Sequence, residues 1–356
     1  SCMNQNAMKL DFLYENLKRE LSRLAPGERF LSVRDIMREY NVSQQMVERA
    51  LNRFTTEGRL ESIPRKGCFI PRPIRNPEAV PPTYMVAVPN WISPDIDEIQ
   101  SALQQLQPDY PDMRLLLYRF DFRYAIPPEL ALRTENVKGM LLMPGRVNTL
   151  GETDVAALNV FRRHGPLIVL CHHLANFNVP SVGLDDMFAG NCAAHHLYSL
   201  GHKKIGILVS EPPSSIIGNR VSGIENYARL HDMEVEVIDC GIQGGEAAQE
   251  KTYRKFEQVI RRGFDFTALA GISGDSVTGA LNACHNCGIA IPDRLGVVVI
   301  GNTAVTATCA PPLDTVSVEL TEQIRLALEM LSSGHCESRT VQPELVRRNS
   351  VTAPDS

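Results

Sequence analysis

The stretch Ser32-Val33-Arg34-Asp35-Ile36-Met37-Arg38-Glu39-Tyr40-Asn41-Val42-Ser43-Gln44-Gln45-Met46-Val47-Glu48-Arg49-Ala50-Leu51 carries two helix starts in close succession. Ser32 followed by Asp35 fits a capping box, with the serine as N-cap and the acid at the third helical position. The helix it opens is short and stops near Tyr40-Asn41. Ser43 caps the next helix, whose inner face is Val47, Ala50, Leu51 and Phe54. Working outward, Leu10, Leu13, Leu17, Leu21 and Leu24 fall at spacings of three and four, so an amphipathic helix precedes the pair. Pro26-Gly27 ends it, and Gly58 suits the C-terminal side of the third helix. Leu60 to Ile63 and Cys68 to Ile70 predict two strands around the basic turn Arg65-Lys66-Gly67.

Helix, helix, short turn, helix and basic hairpin is the order of a winged helix-turn-helix. A recognition helix must offer small or polar side chains where it enters the major groove. Ser43, Gln44 and Gln45 stand at that end, with Arg49 one turn further on. Glutamine pairs in two-point fashion with adenine, and serine bonds several bases or a phosphate. Arg34 suits a phosphate or a guanine edge, and Arg65, Lys66 and Gly67 make a wing suited to phosphates or the minor groove. A three-helix protein-interaction module would leave the basic wing and polar helix start idle. Net charge supports the DNA reading. The chain carries −5 overall, but residues 1–75 hold 14 Lys+Arg and 9 Asp+Glu, a net of +5. The remainder holds 22 and 32, a net of −10, so any nucleic-acid contact belongs to the head.

Residues 26–36 (Pro-Gly-Glu-Arg-Phe-Leu-Ser-Val-Arg-Asp-Ile), Asn41-Val42-Ser43, Val47 to Leu51, Glu57-Gly58 and Lys66 to Ile70 together resemble the GntR-family DNA-binding domain. The resemblance implies DNA contacts at Ser32, Arg34, Ser43 and the wing. Two departures stand out: Leu31 replaces the family's usual proline, and Gln44 and Glu48 replace arginines. Gln44 then reads a base other than guanine, and Glu48 either accepts from a cytosine amino group or points aside.

At 356 residues the chain is too long for one ordinary core. Hydrophobic residues at 44% and charged residues at 22% are globular values and exclude a rod or a disordered chain. No apolar run approaches a membrane span and no signal peptide opens the sequence. Ser1-Cys2-Met3, ahead of Asn4, is left out of this reading. Nine cysteines without an export signal are expected as reduced thiols in a cytoplasmic protein. Prolines 71, 73, 77, 81 and 82 predict a semi-rigid spacer. The expected domains are residues 8–72, a linker at 73–82, and a body at 83–350.

In the body, apolar runs near 85–88, 115–118, 139–143, 167–170, 205–209, 234–238, 268–272 and 297–300 alternate with helical patterns at 95–106, 153–164, 187–200, 219–231, 246–262 and 274–287. Regular alternation predicts an α/β body of parallel sheets covered by helices on both faces. Two such sheets enclose a cleft at the strand C-termini. Leu200-Gly201-His202-Lys203-Lys204-Ile205, Arg220 with Gly223, Gly274-Asp275, Ile291-Pro292-Asp293 and Pro311 to Val316 resemble LacI/GalR-type regulators in order and spacing. This implies a periplasmic-binding-protein-like fold, two lobes joined by three crossovers, usually dimeric, in which an effector alters operator affinity. The expected lobes are 83–184 with 302–319, and 185–301 with 320–349. The whole layout is similar to arabinose-responsive repressors.

The resemblance assigns effector contacts to Arg220, whose planar fork suits hydroxyls or a carboxylate, and to Asp275. Trp91, the single tryptophan, could stack on a sugar or base, and Asn90, Asp185, Asp186 and Asn302 are further candidates. Gly274 and Gly301-Asn302 stand where the family often has asparagine and paired aspartates, which leaves open a sugar or sugar derivative, another ligand, or none. Cys284-x-x-Cys287 lacks a second ligand pair, and the adjacent histidines His172-His173 and His195-His196 lack the i, i+4 spacing of a helical metal site. No nucleotide-binding glycine loop or nucleophile elbow is present. The expectation is a non-enzymatic repressor without cofactor or metal, a homodimer on a palindromic duplex operator. A solute-binding protein and a pyridoxal-phosphate enzyme are the competing classes.

Overall fold

The leucine ladder and the serine-capped pair build the first unit. In the computed structural model, residues 2–63, 66–71, 80–91, 93–127, 137–145, 150–174 and 177–354 are described, with side chains from Met8 onward. The chain divides into Ser1–Val80 and Pro81–Ser356. Arg65 and most of the expected linker, residues 73–79, lie outside the described residues. Helices α1 (Cys2–Leu21), α2 (Val33–Tyr40) and α3 (Gln44–Thr56) bury Leu13, Leu17, Ile36, Val47, Ala50 and Phe54 in one core. Each such side chain contributes roughly 1.5–3 kcal/mol by leaving water. The α1 helix starts before the first leucine of the ladder, at Cys2. Tyr14 stacks on Phe54 at 4.3 Å and donates to Glu57, while the Arg53 guanidinium lies 3.9 Å above the same ring. These contacts tie α1 to the end of α3. Strands β1 (Glu61–Ile63) and β2 (Gly67–Phe69) pair antiparallel. A third edge was not expected: Phe30 N–H donates to Cys68, and Ile70 N–H to Glu28, so residues 27–30 flank β2.

The second unit runs β3 (Thr83–Pro89), α4 (Pro94–Leu106), β4 (Arg114–Phe120), β5 (Val137–Leu142), α5 (Glu152–His164), β6 (Leu167–Leu170) and β7 (Ser181–Leu184). It continues with α6 (Asp186–Ser199), β8 (Lys204–Val209), α7 (Ser215–Leu230), β9 (Glu234–Asp239), α8 (Ala248–Arg262), β10 (Ala268–Gly271), α9 (Val277–Asn286) and β11 (Gly296–Ile300). Last come α10 (Ala304–Thr308), β12 (Asp314–Val316), α11 (Leu320–Ser333), β13 (Arg339–Val341) and β14 (Leu345–Val346). Two six-stranded sheets result, ordered β13-β7-β6-β5-β3-β4 and β14-β12-β11-β10-β8-β9. Every pairing is parallel except β12 with β14. Apolar clusters cover both faces of each sheet.

The chain crosses between sheets after β7, between β12 and α11, and between β13 and β14. This corrects the expected lobe membership of the last two segments. Asp314–Val316 hydrogen-bonds beside β11 in the second lobe. Helix α11 buries Leu320, Ile324, Ala327, Leu328 and Leu331 against the first lobe. The helix carries its own apolar stripe and packs where that stripe finds a sheet face, while the three-residue strand before it stays paired with β11.

Candidate DNA interface and effector cleft

Two serines set the starts of the helices that matter in the head. Ser32 Oγ accepts from Asp35 N–H at 3.2 Å and donates to the Asp35 carboxylate at 2.6 Å. The acid therefore grips the cap hydroxyl, which holds the Asp35 carboxyl below its usual range. Ser43 Oγ accepts from Met46 N–H at 3.4 Å. Its O–H remains able to donate, at a helix end whose dipole favours phosphate. Ser43, Gln44, Gln45, Glu48 and Arg49 are all exposed. Gln44 Nε2 donates to Glu48 Oε1 at 2.8 Å. In that pair Glu48 accepts from its own helix, and Gln44 keeps a second amide N–H and its carbonyl oxygen.

Ion pairing divides the head's cations. Lys18, Arg23, Arg38, Arg53 and Arg59 each have an acidic partner. Arg34, Arg49, Lys66 and Arg29 are exposed and make no ion pair among the described residues, as do Lys9 and Arg19 of α1. Arg29 escaped the sequence reading. Its guanidinium lies beside Gly67, 3.3 Å from where a Cβ would stand, and contributes to the field at Asp35. It thus links the wing to the start of α2. The alternation of buried Phe30 with exposed Arg29 along the 27–30 edge was the available signal. Gly67 has φ +109, a conformation that favours glycine.

In the second unit the candidate effector residues stand just past β3 (Asn90, Trp91), β7 (Asp185, Asp186), β10 (Asp275) and β11 (Asn302), with Arg220 in α7. Arg220 Nε lies 2.8 Å from Asp186 Oδ1, and its Nη1 donates to the Ile272 carbonyl at 2.9 Å. Glycines allow this. A Cβ at Gly223 would stand 2.1 Å from the Met187 carbonyl oxygen, and one at Gly190 2.2 Å from that of Arg220. Helices α6 and α7 therefore cross backbone to backbone, which brings Arg220 onto Asp186. Burial pushes the Asp186 carboxyl up, and Arg220 offsets part of that.

Of the aspartate pair, Asp185 is the N-cap of α6, its Oδ1 accepting from Phe188 N–H at 2.9 Å, and Asp186 is the one that meets Arg220. Asp275 Oδ1 accepts from Thr303 Oγ at 2.7 Å. Asn302 Oδ1 is engaged by Arg348 at 2.6 Å and Thr315 at 3.3 Å, which draws it into the β11–β12 framework. Trp91 packs on the first lobe's core and tilts against Phe122, centroids 6.3 Å apart. Asn90 is exposed, its N–H donating to Phe120 at 2.6 Å. A Cβ on Gly274 would stand 2.9 Å from the Gly301 carbonyl oxygen. The two loops touch there through backbone, leaving no room for the side-chain amide the family often carries.

Three acids in this cleft were not singled out from sequence. Asp95, in the first turn of α4, lies in the combined field of Arg220, Asp275 and Asp186, and burial pushes its carboxyl up. Glu98, one turn on, is pushed up to about 7 by burial, Asp95 and Glu319. Glu211 accepts from Ser273 Oγ at 2.6 Å, and burial pushes it up. Cys284 lies within α9, with its thiol pushed up to about 12 by burial and by Cys287. The described cysteines are free. No helix among the described residues is long and apolar enough to cross a membrane.

Comparison with known proteins agrees with this architecture. Residues 10–70 match the bacterial regulatory proteins of the gntR family, and residues 194–351 match a periplasmic binding protein-like domain. The chain thus joins a GntR-type helix-turn-helix domain to a periplasmic-binding-protein-like domain. Its relatives are LacI/GalR-type regulators. It is 24% identical to the Escherichia coli (strain K12) transcriptional repressor CytR over 342 residues, covering 90% of this chain and 96% of CytR. It is 26% identical to AscG of the same strain over 194 residues, 53% of this chain and 57% of AscG. It is also 26% identical to GalR of that strain over 209 residues, 57% of this chain and 60% of GalR. The chain therefore spans less than two thirds of AscG and GalR. Among solved structures, a LacI family regulator from Enterococcus faecium with bound ribose superposes with TM-score 0.63 at 18% identity, covering 76% of this chain and 99% of that one. The Escherichia coli repressor AscG superposes with TM-score 0.61 at 20% identity, over 76% and 99%.

Proposed function

We propose that this chain is a transcription regulator, acting as a repressor, that binds duplex DNA through Ser1–Val80 and is switched by a small effector held in the cleft of Pro81–Ser356. One observation carries the DNA half. Exposed cations with no ion pair among the described residues (Arg29, Arg34, Arg49 and Lys66) flank two serine-capped helix starts, while most other described cations of the head are ion-paired. Unpaired cations beside helix N-termini favour phosphate, and the polar front of α3 favours base edges. The effector half is supported by Arg220, seated on Asp186 with part of its fork free, at the strand ends where ligands of this fold class lodge. A sugar or sugar derivative is the effector class, in keeping with ribose in one structural neighbour. The regulator acts as a cytoplasmic homodimer on a palindromic operator, without catalysis, cofactor or metal.

The test is selection of bound duplexes from a random pool by the full chain, followed by footprinting. The reading expects two half-sites related by a two-fold axis. A single asymmetric site occupied by one chain overturns the dimer geometry, and selection of no duplex overturns the reading itself.

A further inference from the structure

At the front of α3 one side-chain pair has an orientation that chemistry fixes. Gln44 is the first residue of the helix, and Glu48 stands one turn further on. Side chains four apart share a helix face. Both are exposed, and Gln44 Nε2 donates to Glu48 Oε1 at 2.8 Å. A carboxylate only accepts, so the amide nitrogen of Gln44 and not its oxygen must turn toward Glu48. A free glutamine presents either end of its amide after a half-turn, and Gln44 does not. It keeps one N–H and its carbonyl oxygen side by side, and neither has a partner among the described residues. Gln45, next in sequence, is exposed and makes no side-chain hydrogen bond among the described residues, so its amide carries no such bias.

A donor beside an acceptor discriminates among the bases. In the major groove adenine shows its N7 acceptor next to its N6 amino donor, whereas guanine shows two acceptors, N7 and O6. Cytosine shows a donor, and thymine an acceptor beside a methyl group. Against adenine, the free N–H of Gln44 donates to N7, and its carbonyl oxygen accepts from the N6 amino group. The other N–H stays on Glu48, so the amide nitrogen spends both protons and the oxygen is met. Against guanine the carbonyl oxygen would face O6, with no proton between two acceptors. Glu48 itself turns a negative charge toward a polyanion, which opposes binding to a duplex of any sequence. Its contribution is therefore orientation, and it carries a cost in affinity.

We propose that Gln44 and Glu48 form one reading unit that selects an adenine in each operator half-site, Glu48 being a positioning residue that acts through Gln44. This rests on reading α3 as the helix in the groove, and it names the base that the helix takes there. The Gln44–Glu48 bond is weak while water surrounds it and strengthens where docking drives water out. An amide already held in its bound orientation also gives up less freedom on binding.

The experiment selects duplexes from a random pool with the full chain and with its Gln44→Ala, Glu48→Ala and Glu48→Gln variants, then measures affinities on the selected duplex by anisotropy. One position in each half-site should be adenine, preferred over guanine by at least about fivefold, and Gln44→Ala should flatten that position alone. Glu48→Ala should cut the preference by at least about twofold, yet raise affinity for duplexes of any sequence, because a negative charge leaves the interface. A merely structural role for Glu48 predicts no such opposite movement. Glu48→Gln, whose carbonyl oxygen still accepts from Gln44, should keep more of the preference than Glu48→Ala. Placing purine, which lacks the N6 amino group, or a deaza-adenine lacking N7 at this position should each weaken wild-type binding by about fivefold and leave the Gln44→Ala variant unaffected. A selected duplex without adenine at the position that depends on Gln44 overturns the proposal and leaves DNA binding standing. An adenine preference untouched by Glu48→Ala, or one that Glu48→Ala reduces equally in a Gln44→Ala background, removes Glu48 from the unit. Selection of no duplex at all defeats the reading of the head itself.

Discussion

The head and the cleft treat charge in opposite ways. In the head, Arg29, Arg34, Arg49 and Lys66 stand exposed with no acidic partner among the described residues. In the second unit, Asp186 pairs with Arg220, while Glu211 and Asp275 accept from the hydroxyls of Ser273 and Thr303. Exposed cations cost little to leave unpaired, because water solvates them until a polyanion replaces that water and releases its counterions. Carboxylates withdrawn from water are expensive to leave unpaired, so each is met within the protein.

Breaking the Arg220–Asp186 pair is the harshest way to disturb this contrast. Arg220→Ala leaves a buried carboxylate without its cation, which costs about 3–5 kcal/mol in folding stability, and calorimetric melting measures it. Adding Asp186→Asn should recover much of the loss. Full stability in the single variant would show that the pair does not organise the cleft.

In the head, Arg34→Ala with Lys66→Ala should weaken operator binding by about ten- to a hundredfold near physiological salt and lower the salt slope by about two. Fluorescence anisotropy across a salt series reads both numbers. A loss with an unchanged slope would mean that these side chains act without touching phosphate.

Gln44→Arg sharpens the account of the recognition helix. Gln44 gives one amide N–H to Glu48 and keeps the other together with its carbonyl oxygen. The arginine variant should shift the preferred base toward guanine by about 1–3 kcal/mol, measured on paired operators differing at one position. An unaltered preference would place Gln44 off the base edge.

The smallest effect concerns Glu98, pushed up to about 7 by burial, Asp95 and Glu319. A glutamate in the unfolded chain titrates near about 4.3. Its folded pKa is raised, so its contribution is fully present below the unfolded value and is lost as pH rises through about 7. Glu98→Gln should flatten the pH dependence of the melting temperature across that window. A slope equal to wild type would remove Glu98 from the acidic group.

Much of the head was legible because its signals are local. Ser32 and Ser43 cap helices within three residues of their partners, and Gly58 adopts φ +70 just past α3. The β/α alternation of the body was legible for the same reason, since each strand is a short apolar run. Segments were misassigned where sequence distance hides contact. Asp314–Val316 is too short to show which sheet it joins, and α11 was not read as a helix, although Leu320, Ile324, Ala327, Leu328 and Leu331 form its stripe. The acids were illegible because Asp95 comes within the field of Arg220 and Asp275 only once the two lobes are folded. Asp185 and Asp186 are neighbours in sequence, yet one closes a helix end and the other faces Arg220, a distinction that the helix geometry decides.

The central claim is that the front of α3 lies in a DNA groove held by flanking cations. Binding of the full chain to its selected duplex, measured by anisotropy against salt concentration, tests it most directly. The account predicts a linear fall of log affinity with log salt, with a slope near −0.9 for each phosphate neutralised. Failure to bind any duplex at low ionic strength would contradict it.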